Sequence, residues 1–318
     1  MDLIFWVVFL VAIGVFLALD LGVFHRDAHV VSTREALGWT ALWVSLAVAF
    51  GICVFIWQGS TVGIQWFTGY VVEYSLSVDN VFVFALVFGA FAVPRELQHR
   101  VLFWGVLGAL VMRLVLILVG AHLIESYHWI IYIFGGFLLI TGIRMALSGG
   151  EAETHPENNP IVRFAARHIR VVPHFEGQKF LLQTAAGRAA TPLLLALIAV
   201  ETSDLIFAVD SIPAIFAITT DPFIVFTSNA FAILGLRSLY FLLAGAADRF
   251  RYLRLGLAAV LVFVGAKMLL TDIIHLEPVA SLLVILALLG VSIAASLIAD
   301  RREGHRPGTG DAAGQLPG

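Results

Sequence analysis

The sequence predicts an all-α polytopic membrane protein of about nine transmembrane helices. Three observations carry that reading. Apolar runs of about 20 residues, long enough to cross a bilayer as a helix, recur along the chain. Only 13% of the residues are charged and 60% are hydrophobic, whereas a soluble protein is about a quarter charged. The basic residues crowd into alternate connections between the runs.

Taken in order, the spans are roughly 3–24, 37–57, 63–91, 101–121, 128–148, 191–217, 223–246, 252–271 and 278–299. The first opens on Asp2 rather than a basic segment, and no A-x-A-like cleavage site follows it. It therefore reads as a span and not as an ordinary signal peptide. Arg26 and Arg34 follow span one, and Arg95 and Arg100 follow span three. Arg144, Arg163, Arg167, Arg170, Lys179 and Arg188 come after span five. Arg249, Arg251 and Arg254 come after span seven, and Arg301, Arg302 and Arg306 after span nine. These are 16 of the 19 basic residues; the other connections hold none, and Arg113, Arg237 and Lys267 fall inside spans. By the positive-inside rule the N-terminus lies outside and the C-terminus in the cytoplasm.

Residues 1–300 read as one transmembrane transporter domain. The connection 149–190 is a cytoplasmic loop, and its EAETHPENNP segment is polar and turn-rich. Glu151, Glu153, His155 and Glu157 there suggest a metal-sensing patch, with an ordinary solvated loop as the simpler reading. The tail 301–318 is rich in Gly and Pro, has little to bury and is expected to be disordered. The single cysteine, Cys53, excludes an internal disulfide and a Cys-based metal site.

A 3+3 inverted repeat is expected, 63–148 against 191–271. Asp79 to Arg113 is 34 residues and Asp204 to Arg237 is 33; Arg113 to Arg144 is 31 and Arg237 to Lys267 is 30. TGIRMAL (141–147) resembles VGAKMLL (264–270). A second register aligns SVDN (77–80) with AVDS (208–211) and pairs Asp79 with Asp210 instead. Spans three and six run in opposite directions, as in secondary transporters whose substrate site lies at the midplane between repeats.

Two spans carry the chemistry. The first holds Glu73 and Asp79, with Asn80 beside it; the second holds Glu201, Asp204 and Asp210. Each carboxylate at a bilayer centre costs about 2.5–3.5 kcal/mol on insertion scales, so five on two spans call for a reason. At 100° per residue Glu73, Ser77 and Asn80 share a face, as do Glu201 and Asp204. Asp79 and Asp210 lie about 120° from Glu73 and Asp204 on regular helices. Pro213 frees the carbonyl of Val209 and is expected to kink the helix beside Asp210, drawing the acids into one oxygen cage. Asn80, Ser211 and Asn229 are candidate extra ligands; Arg113 and Arg237 are the charge partners. Five acids against Arg113, Arg237 and Lys267 leave two negative charges, the balance for one divalent cation. Carboxylate, amide and hydroxyl oxygens suit Mg²⁺, Ca²⁺ or Mn²⁺, and all ten histidines fall in loops or at span ends. The bland alternative for each acid is an ion pair with Arg113 or Arg237 that joins helices.

EYSLSVDN (73–80), the 201–243 run that begins ETSDLIFAVDSIPAIFAITTDPF, and HPENNPIVR (155–163) resemble the TerC family, closest to its Alx-like branch with a long central loop. The resemblance covers about residues 1–300. It implies a member of a LysE-like cation-exporting superfamily with Mn²⁺ efflux as its activity, and a link to tellurite resistance. It carries the family's intramembrane acids onto Glu73, Asp79, Glu201, Asp204 and Asp210.

The expected function is therefore a secondary transporter in the cell (inner) membrane that exports Mn²⁺, with proton exchange as the coupling. No G-x-x-x-x-G-K-[ST] motif is present, so ATP does not drive it within this chain. No enzyme activity and no permanently bound cofactor are expected. The bilayer, the divalent cation and secretion machinery are the partners considered, and nucleic acid is not one. Three rivals stand: an intramembrane aspartyl hydrolase, which needs one dyad sharing a proton; a partner in metalation or biogenesis of exported proteins; and a tellurite-resistance factor that transports nothing.

Overall fold

The computed structural model describes residues 3–19, 31–147, 160–184, 187–243, 252–273 and 276–303. Ten helices and two strands are found among them, in the order α1 (Leu3–Leu19), α2 (Thr33–Gln58), α3 (Ser60–Ala90), α4 (Arg95–Ser126), α5 (Ile130–Leu147), α6 (Pro160–His168), β1 (Leu181–Thr184), β2 (Gly187–Ala190), α7 (Pro192–Phe216), α8 (Pro222–Leu243), α9 (Leu253–Leu269) and α10 (Pro278–Glu303). Each of the nine expected spans coincides with one of these helices. Seven, α2, α3, α4, α5, α7, α8 and α10, are long and apolar enough to cross a membrane. α1 is a shorter apolar helix and α9 has 17 residues.

The helix ends follow local chemistry. Ser32 caps α2, its hydroxyl accepting from the Glu35 N–H at 3.2 Å. Gly59, at φ 92°, is the only residue between α2 and α3, and a side chain would strain that conformation. Pro192 and Pro222 start α7 and α8, where a missing N–H costs nothing. Asp221 caps α8, accepting from the N–H groups of Phe223 (2.9 Å) and Ile224 (3.4 Å).

α8 is the central pillar. Every residue from Phe223 to Tyr240 is buried, against α2, α3 and α4. α7 packs on α3 and α4, α5 on α9, and α10 on α9 and α3. The core is aromatic at one end, where Trp66 donates to the Thr227 hydroxyl at 3.0 Å. The perimeter inverts the soluble pattern: Leu3 and Ile56 are 77% exposed and Val291 is 70% exposed. So broad an apolar surface belongs against lipid.

Two expectations need correction. The 149–190 connection is not all loop: it holds α6, with Val162 buried against α7, and the antiparallel pair β1–β2. Leu182 and Ala189 face each other in that pair and are buried, which its four-residue strands were too short to announce. The tail begins later than expected, since α10 continues to Glu303. The Glu151–Glu157 patch and residues 304–318 lie outside the described residues.

Candidate functional site

Arg113, on α4, is 1% exposed and sits where four helices meet. Its Nη1 is ion-paired with the Glu73 carboxylate of α3. Its Nη2 and Nε reach the two oxygens of Asp204 on α7, at 3.1 and 3.3 Å. This is the fork geometry that a guanidinium makes with a carboxylate. Nη1 also donates to Asn229 of α8 at 2.8 Å and to the Ser211 hydroxyl of α7 at 3.3 Å. Asn80 donates to Asp204 at 3.4 Å. Glu73, Asn80, Asp204, Ser211 and Asn229 are all buried. Two carboxylates against one guanidinium leave formally one negative charge at this level.

The cluster is not closed. Glu73 Oε2, Ser77 Oγ and Asn80 Oδ1 are buried and have no hydrogen-bond partner among the described residues. They stand at i, i+4 and i+7 on α3, one stripe from which Asn80 reaches Asp204. An unpartnered buried polar group costs about 1–3 kcal/mol. These three oxygens and the Asp204 carboxylate form an oxygen-rich wall that suits a hard cation.

The five acids do not form the single cage expected of them. Among the described residues no three His, Cys, Asp or Glu side chains converge at metal-binding distance. Glu73 and Asp204 share Arg113. Asp79, half-buried, lies within the electrostatic reach of Arg254 at the start of α9 without an ion pair to it. Asp210 accepts from Thr141 of α5 at 3.5 Å. The Glu201 carboxylate lies so close to Gly108 of α4 that a Cβ there would collide with it. The reason is helical phase: α7 runs through Pro213 as one helix to Phe216, so Asp210 stays about 120° from Asp204. The guanidinium on Asp204 belongs to Arg113, one of the two arginines considered from sequence, and not to Arg237. Arg237, buried on α8, lines a small cavity with Leu17, Trp43, Phe103, Val106 and Leu234. The three candidate extra ligands, Asn80, Ser211 and Asn229, all reach the cluster. Sequence reasoning missed Thr141 and Arg254; Gly108, a small residue in α4 opposite an acid, was the available signal for Glu201.

The integral membrane protein TerC family model matches residues 58–304, which include α3, α4, α7 and α8. The chain belongs to that family. It is 55% identical to an uncharacterized membrane protein of Myxococcus xanthus, over 96% of this chain and 95% of that one. It is 47% identical to an Escherichia coli K12 protein provisionally named membrane-bound redox modulator Alx, over 89% of this chain and 91% of that one. An uncharacterized membrane protein of Rickettsia bellii is 38% identical, over 92% and 97%. No solved structure matches.

In this TerC family protein two cavities lie toward opposite ends of α3. One, of about 610 Å³, is lined by Ala85, Gly89, Arg95, Gln98 and Tyr240. The other, of about 290 Å³, is lined by Gln65, Ala217, Thr219, Lys267 and Thr271. Neither reaches Glu73, Arg113 or Asp204, so the charged cluster is sealed from both.

Proposed function

We propose that this protein is a secondary transporter in the inner membrane that moves a divalent cation, Mn²⁺ before Ca²⁺ or Mg²⁺, out of the cytoplasm through the Glu73–Asp204 pair. The observation that carries the reading is the stripe of oxygens without a partner among the described residues, Glu73 Oε2, Ser77 Oγ and Asn80 Oδ1, the first of them from one of the two carboxylates held by one arginine. A purely structural pair would close its hydrogen bonds; this one stands beside buried acceptors that no described residue fills. Arg113 acts as a tethered cation. It holds the pair in the absence of substrate, and a divalent ion that binds the same oxygens displaces it toward Ser211 and Asn229. Protons returning to the carboxylates on the far side supply the coupling. The basic connections favour a cytoplasmic 149–190 segment and an outside N-terminus.

The redox name of the Escherichia coli relative finds little support here. Cys53 is the chain's one cysteine, so no internal dithiol can form. A membrane partner in metalation of exported proteins is the reading that a transport failure would favour.

The test is flux into sealed vesicles that contain only this protein, with Mn²⁺, Ca²⁺ or Mg²⁺ offered on a known side. Mn²⁺ flux above protein-free vesicles, lost in Glu73→Gln and Asp204→Asn, is the expected result. No flux of any of the three ions would overturn the proposal.

A further inference from the structure

The close contacts of α5 and α9 repeat themselves with the helices exchanged. A methyl added at Gly142 of α5 would strike the carbonyl of Ala258 and the backbone N of Val262. A methyl added at Gly265 of α9 would strike the carbonyl of Gly135 and the backbone N of Leu139. Residues 135, 139 and 142 correspond to 258, 262 and 265, each 123 positions later. The same offset relates TGIRMAL to VGAKMLL. Contacts that exchange in this way are what a two-fold axis between α5 and α9 produces.

α3 and α7 obey a matching rule with an offset of 131. Glu73 corresponds to Asp204, and Arg113 holds both. Asn80 corresponds to Ser211, and both reach into the cluster. Asp79 corresponds to Asp210, and α3 touches α9 as α7 touches α5. This is the second of the two sequence registers. The larger packing agrees, because α3 lies on α8 as α4 lies on α7.

Arg113 breaks the symmetry. Its counterpart 124 positions later is Arg237, also buried on a helix that packs against α3. Counterparts lie equally far from the axis on opposite sides, and the carboxylate pair lies on it. A pair within reach of Arg113 is therefore within reach of Arg237 in the exchanged arrangement.

We infer that the protein alternates between two arrangements in which Arg113 and Arg237 take turns on the Glu73–Asp204 pair. The inference rests on the transport reading for its purpose: each arginine closes the pair from its own side, and the substrate cation occupies it between. Repeats that exchange conformations are the general device of inverted-repeat transporters. What is particular to this chain is that each repeat carries its own guanidinium for one shared pair of acids.

The experiment uses the full chain in nanodiscs, where both faces are open, in a Cys53→Ser background. Single cysteines at Ala85 and Ala217 report on the two opposite cavities. Their rates of reaction with a small water-soluble maleimide are compared with Arg113→Gln, with Arg237→Gln and with neither. Each substitution removes one arrangement, so the Ala85 to Ala217 rate ratio shifts in opposite directions. The expected size is about tenfold each way, the effect of a lost charge-assisted hydrogen bond on a two-state equilibrium. If Arg113→Gln accumulates poorly, Glu73→Gln with Arg113→Gln keeps the charge balanced and shifts the ratio the same way. Shifts in the same direction, or none, overturn the exchange. Opposite shifts in a protein that carries no Mn²⁺ would leave the exchange standing and remove the transport reading; normal flux with parallel shifts would do the reverse.

Discussion

Arg113 and Asp204 are joined by two parallel contacts, Nη2 to Oδ1 at 3.1 Å and Nε to Oδ2 at 3.3 Å, across the boundary between α4 and α7. The residues are 91 positions apart, so the fork fixes how the two helices meet.

Asp204→Asn strands part of a buried guanidinium. Breaking a buried pair from one side costs about 3–5 kcal/mol, and Glu73 still holds Arg113, so the lower end applies. A lower unfolding temperature in detergent is expected. Adding Glu73→Gln and Arg113→Gln together removes the rest of the buried charge and recovers most of the loss. Mn²⁺ flux stays absent in the triple variant, because the acids are missing whatever the stability. Recovery of flux together with stability would make the pair merely structural.

The α5–α9 crossing should tolerate no extra carbon. At Gly142 and Gly265 the added methyl meets backbone atoms, which cannot swing aside as a side-chain tip does. Gly142→Ala and Gly265→Ala are each expected to cost about 1–3 kcal/mol, the usual range for overpacking. Gly136 has open space at its Cβ position. Gly136→Ala is expected to be neutral or to stabilise by up to about 1 kcal/mol through helix propensity. Thermal unfolding of the three variants side by side checks the contrast.

Much of the fold is legible in the residues themselves, for physical reasons. A bilayer demands about 20 apolar residues per helix, so composition locates the helices within a few residues of their ends. Helical phase puts Glu73, Ser77 and Asn80 on one stripe, and the stripe is there. The same arithmetic sets Asp79 and Asp210 apart from that stripe; only the supposed rearrangement at Pro213 brought them back, and α7 continues through it. Two facts were out of reach. Which arginine meets Asp204 depends on how α4 and α8 rotate about α7, and their rotation is a packing outcome. β1 and β2 carry too few apolar residues to show alternation.

Topology can be settled without any flux. Charge bias puts Pro160 in the cytoplasm and Ser60, the exposed first residue of α3, outside. Cysteines at these two positions in a Cys53→Ser protein should react with an impermeant maleimide in intact cells only at residue 60. Reaction at residue 160 instead would reverse the proposed direction of transport.

The acids outside the cluster should behave differently from those within it. Asp79 and Asp210 do not touch Arg113 and are only half-buried, so their neutral forms should unfold within about 1 kcal/mol of the parent. Each stands six residues from its cluster acid, about 9 Å along a helix axis. They lie on opposite sides of it. α3 runs from Gln65 at the 290 Å³ cavity toward Ala85 at the 610 Å³ cavity, which sets Asp79 beyond Glu73 toward the larger one. α7 ends beside the smaller cavity at Ala217, so Asp210 lies beyond Asp204 in that direction. A carboxylate at that position offers an arriving cation a first partner before Arg113 gives way. Asp79→Asn should therefore raise the half-saturating Mn²⁺ concentration about tenfold when the ion is offered on the larger cavity's side, the loss of one charge-assisted contact. Asp210→Asn should do so for ion offered on the other side. Half-saturation measured in vesicles of known orientation decides the matter, and equal effects from both sides would show that neither acid guards a single entrance.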